Sequence, residues 1–152
     1  MADVERALLT VGVFKDVEWA TRGLDALKQQ GFGPEMLSIL GKEEPQVQAL
    51  IESIFGGAAE RVEWPVVGAV LARGSLLPAL QGQARDVARV GMAAAMRRIG
   101  FQPHDGLIFE TLTGKGGVLV AVEDAPRAAD ALAVLHSYGG GNAAIGAWSG
   151  RV

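Results

Sequence analysis

His104 and His136 are the two histidines of a 152-residue chain that has no cysteine, and that sets the chemistry open to it. Without thiols there is no thiolate nucleophile, no disulfide, no iron–sulfur cluster and no cysteine-held zinc. His104 stands between Pro103 and Asp105, a grouping that reads as a helix start, and His136 comes late in a helix-like run, where a cation suits the helix dipole. Neither has a second histidine or a carboxylate at ligand spacing, so a metal site is not expected. Ser38, Ser53, Ser75, Ser137 and Ser149 lie outside any G-x-S-x-G elbow. The paired acids Asp16/Glu18 and Glu123/Asp124 have the residue types for acid–base work, but each pair precedes a helix-like run, where carboxylates cap exposed N–H groups. The glycines of "GKGG", 114–117, resemble a phosphate loop only in composition. Such a loop joins a strand to a following helix and places Lys then Ser or Thr at the helix start. Here the glycines lead from a helix into a strand, and Gly116 follows Lys115. No catalytic, cofactor-binding or metal-binding residue is assigned.

The elements around these residues form a repeat. Displaced by 108 positions, Asp16 falls on Asp124, Ala20 on Ala128, Leu24 on Leu132, Leu27 on Leu135, Gly31 on Gly139 and Gly33 on Gly141. The leucines and alanines are spaced as one helical face, opened by a capping Asp and closed by a Gly that can take the left-handed cap. Each helix is preceded by a β-prone run, "ALLTVGVF" or "GGVLVAV", and followed by another, "EMLSILG" or "NAAIGAW". The expectation is an α+β, ferredoxin-like sandwich in one domain, residues 1–152. Two βαβ halves, 6–42 and 116–150, flank a helical Gly/Ala-rich insertion, 43–115. "VLVAV" is apolar at consecutive positions, as a central strand buried on both faces should be.

Within the insertion, "EEPQVQALIESIF" places Val47, Leu50, Ile51, Ile54 and Phe55 on one stripe after Pro45. "ARDVARVGMAAAMRRIG" repeats the pattern with Val87, Val90, Ala94 and Ile99, and a short helix is expected over 104–112. Between the first two lies "WPVVGAVLARGSLLPAL", 64–80. It is shorter than the ~20 residues of a spanning helix, and Arg73 at its middle would cost about 2.5–3.5 kcal/mol at a bilayer centre. Membrane contact is expected to be peripheral at most. With helices on one face of the sheet, the other face needs a cover: the insertion folding back over it or a second subunit, of which the second subunit is the expected one.

The net charge of −3 speaks against nucleic acid as partner. The start "MADVERALLT" lacks the basic region of a signal peptide, so a cytoplasmic protein, membrane-peripheral at most, is expected.

"VGVFKDVEWATRGLDALKQQGFGPEMLSIL" and "GFQPHDGLIFETLTGKGGVLVAVEDAPRAADALAVLHSYGG" together resemble the bacterial general stress protein 17M-like family. Its members similarly pair an opening βαβ with a closing helix–glycines–strand–helix–Gly segment around a Gly/Ala-rich insert. Residue 109 lies where members carry a Tyr or a Glu-rich helix, whereas "GLIFETL" here is mostly apolar and keeps Glu110 alone. The resemblance implies a stress-linked context and brings no catalytic residues with it.

The functional expectation is a non-enzymatic interaction or scaffolding protein, homo-oligomeric, with no cofactor. Its insertion binds a partner or larger complex, and residues 64–100 bury there with Arg73 hydrogen-bonded across the contact. Trp19, Trp64 and Trp148 are the further contact candidates, since large aromatics anchor interfaces. Two alternatives remain open: a small-molecule-sensing regulatory domain of ACT-like type, using the "GVFKD" junction, and a peripheral membrane protein acting through residues 64–100.

Overall fold

The computed structural model describes residues 7–81, 91–123, 127–137 and 144–148. The strands are β1 (Ala7–Phe14), β2 (Leu37–Lys42), β3 (Glu60–Trp64), β4 (Gly68–Arg73), β5 (Val118–Glu123) and β6 (Ala144–Trp148). The helices are α1 (Val17–Gln29), α2 (Pro45–Phe55), α3 (Leu76–Gln81), α4 (Met92–Arg98), α5 (Pro103–Gly114) and α6 (Ala128–Ser137). The strands form one sheet in the order β3-β4-β2-β5-β1-β6, and every neighbouring pair is antiparallel.

Strand alternation sorts the core into two halves. Val11, Val13, Leu40, Val70, Leu119 and Ala121 point to one face, where they pack with residues of α3, α4 and α5. Phe14, Leu37, Ile39, Leu71, Val118, Val120 and Val122 point to the other, against α1, α2 and α6. Residues 118–122 are all buried, so "VLVAV" is a central strand covered on both sides, as its composition predicts. The cover of the second face differs from the expectation. Helices of the insertion lie over it, not a partner subunit, and the result is a helix–sheet–helix arrangement.

The insertion is also not wholly helical. Its residues 60–73 form the β3–β4 hairpin, which extends the sheet beside β2. Val62 and Trp64 alternate with charged Arg61 and Glu63, while Pro65 and Gly68 (φ 83°) bound the turn. Arg61 is clasped by Glu43 at 2.8 Å and Glu63 at 2.9 Å, and these carboxylates, Glu43 first, raise its pKa above the usual arginine value. Of the helix expected over 84–100, the described part is α4, which starts at Met92 after Gly91 (φ 92°). Its buried stripe is Met92, Ala95, Met96 and Ile99, with Ala94 exposed; Val87 and Val90 lie outside the described residues.

The capping expectations hold in the first half. The Asp16 carboxylate accepts from the Trp19 N–H at 2.9 Å, and Gly31 (φ 94°) follows α1. Their counterparts Asp124, Gly139 and Gly141 lie outside the described residues. Three helices share one ending. After α1, α4 and α5 the chain passes through Gly31, Gly100 (φ 114°) and Gly116 (φ 103°). The next N–H donates back to the carbonyl of Leu27, Met96 or Leu112, a Schellman closure in each case.

Candidate interaction site

Helix α5 begins at Pro103, whose missing N–H costs nothing at a first helical position. It is tied down on its inner face by Gly106, Phe109, Glu110 and Thr113, all buried. Phe109 meets Phe101 edge to face, with centroids 5.5 Å apart and planes at 84°. Gly106 lets α4 come close: a Cβ there would lie 2.9 Å from the Ala93 carbonyl oxygen. Glu110, 7% exposed, accepts from the Ala93 N–H at 3.2 Å and so caps the start of α4 from the neighbouring helix. Lys42 Nζ donates to the Gly114 carbonyl at 3.2 Å at the far end.

This anchoring leaves the opposite side of α5 in water, and that side is apolar too. Leu107 is 56% exposed, Ile108 is half-buried, and Leu112, also half-buried, packs in part on the core beneath. With His104 and Thr111 they line an open groove of about 300 Å³. The positions 104, 107, 108, 111 and 112 are those of one helical face. Asp105 stands in the first turn beside this stripe, and Lys115 just past its end.

The residues singled out from sequence fall elsewhere and apart. Trp64, 4% exposed, is inside the chain's own core with α3, α4 and α5. Trp19 is half-buried on the other side of the sheet, with the Arg22 guanidinium 5.0 Å from its ring. Arg73 donates to the Ala58 carbonyl at 2.9 Å and lies 5.7 Å from the Phe55 ring, so its partners come from its own chain. Trp148 ends β6, its side chain outside the described residues. Val67, Val70, Ala72, Leu76, Leu77 and Leu80 are buried, so most of the apolar stretch expected to meet a partner or lipid packs internally, with Val66 left exposed. Among the described residues no helix is long and apolar enough to cross a membrane, and no three His, Asp or Glu side chains converge as a metal site would need. At the "GVFKD" junction Asp16 is engaged in capping, and a Cβ on Gly23 would strike the Phe14 ring at 2.3 Å.

No family model, curated protein or solved structure matches the chain. The α5 surface therefore rests on geometry alone.

Sequence reasoning placed α5 but missed its exposed apolar face. One signal was available: "GFGP", 31–34, recurs as "GFQP", 100–103. In both, the Gly closes a helix, the Phe is buried, and the Pro opens the next helical turn. Arg127 was missed as well. It donates to the Gln30 carbonyl at 2.6 Å and stacks on Phe32 at 4.2 Å, joining the start of α6 to the end of α1.

Proposed function

We propose that this chain is a non-enzymatic interaction protein whose working surface is the outer face of α5. The observation that carries the reading is the apolar stripe of Leu107, Ile108 and Leu112 around an open groove, on a helix whose other face is already packed. A single exposed leucine is ordinary, but three apolar side chains at helical spacing in one groove are the pattern of a contact surface. The core is best described as ferredoxin-like. Its support is the lateral order β2-β5-β1-β6, all antiparallel, with β1-α1-β2 and β5-α6-β6 as the two halves, and β3–β4 added at the β2 edge. The stress-linked setting comes from the resemblance described above, and the homo-oligomeric, scaffolding habit belongs to the same proposal.

The test is isolation of tagged full-length protein from its native cells, wild type against Leu107→Asp, with Leu107→Met as control. The expected result is a co-purifying set that survives in Leu107→Met and is lost in Leu107→Asp. An identical set from all three overturns the role of α5.

A further inference from the structure

Resting on that reading of α5, we infer that the occupant of its groove is a second copy of this chain, paired antiparallel about a two-fold axis beside residue 110. The support is self-complementarity. Asp105 stands in the first turn beside the start of the stripe and Lys115 just past its end, about 15 Å apart along the helix. The groove is lined by His104 at its start and by Leu107, Ile108, Thr111 and Leu112 between the two charges, with no carboxylate, lysine or arginine among them. Glu110, the one carboxylate in that span, turns inward to the Ala93 N–H. Antiparallel pairing sets Ile108 against Leu112 of the other copy and Asp105 beside Lys115 of the other copy, each twice by symmetry. It also brings the positive N-terminal end of each helix to the negative C-terminal end of the other. Parallel pairing would oppose Asp105 to Asp105 and Lys115 to Lys115 with the dipoles aligned, so the charges select the antiparallel form.

A single helix pair of this length is a small interface, so the dimer is a concentration-dependent one with micromolar dissociation. Sedimentation equilibrium of the full chain from ~1 to ~200 µM reads it directly. Asp105→Lys and Lys115→Glu alone each oppose like charges twice and weaken the dimer roughly 10-fold, and the double variant restores it. Because the chain has no cysteine, a single Thr111→Cys beside the axis gives a second readout that leaves both charges in place. Under mild oxidation it forms an interchain disulfide faster than Thr21→Cys on the exposed surface of α1. A wild-type chain that stays monomeric to ~200 µM removes the second copy as occupant, while the co-purification above still decides whether α5 binds another protein. A dimer in which the double variant is as weak as the singles, or in which Thr111→Cys crosslinks no faster than Thr21→Cys, overturns the antiparallel arrangement.

Discussion

Two glycines of α5 should respond oppositely to the same change. Glycine is the poorer helix former by about 1 kcal/mol relative to alanine, so propensity alone has both Gly106→Ala and Gly114→Ala stabilising. Space decides otherwise at Gly106. The added Cβ would lie 2.9 Å from the Ala93 carbonyl oxygen and 3.3 Å from the Met96 Cβ. Neither atom is the end of a flexible side chain, so α4 and α5 must part by several tenths of an ångström. Overpacking of this kind costs about 2–3 kcal/mol, and the propensity gain leaves a net loss of about 1–2 kcal/mol. At Gly114 the nearest atoms, both of Val67, are 3.9 and 4.0 Å away, which is ordinary contact. Gly114→Ala should therefore gain a few tenths of a kcal/mol, less than the full propensity because it is the last helical residue. Equilibrium urea unfolding of the two variants measures this, with a fall in Tm of roughly 3–6 °C for Gly106→Ala as a cross-check. If Gly106→Ala is as stable as Gly114→Ala, α4 and α5 are not in close approach and the anchoring of α5 argued above fails.

Other substitutions test neighbouring parts of the same frame. Val66, 78% exposed, is held at φ 72° in a three-residue turn closed by the Val67 N–H to the Pro65 carbonyl at 2.8 Å. Because glycine takes that backbone without a Cβ clash, Val66→Gly should raise stability by about 1 kcal/mol in the same urea titration. Glu110→Ala leaves the Ala93 N–H without its acceptor and should cost about 1–3 kcal/mol, whereas Glu110→Gln keeps an oxygen there and should retain most of it. Arg127→Ala removes the link to Gln30 and the stacking on Phe32 for about 1 kcal/mol, and Arg127→Lys, lacking the planar guanidinium, should not rescue it in thermal melts.

What was legible in the sequence was local. Asp16, the spacing of Leu24 and Leu27, and Gly31 act within one helix, and they describe α1 correctly. The run Val118–Val122 announces its two-sided burial because no polar residue interrupts it. β4 was lost in a Gly- and Pro-rich apolar stretch, since a short apolar run does not separate strand from helix by periodicity, whereas for β3 the alternation of Arg61, Val62, Glu63 and Trp64 was a strand signal present in the sequence. Trp64 and the leucines after it looked available for a partner because nothing local says that α3, α4 and α5 fold back over the sheet. The working face of α5 was illegible for a related reason. Its apolar residues lie on both sides, and only the long-range contacts of Gly106, Phe109 and Glu110 decide that Leu107 is left outside.

The claim that the outer face of α5 is where this chain meets its partner is tested most directly by site-specific photo-crosslinking in its native cells. A benzophenone side chain replaces Leu107 in one strain and Thr21, exposed on α1, in the other. Discrete protein adducts from position 107, absent from position 21, are the predicted result; equal or no adducts from the two positions would contradict it.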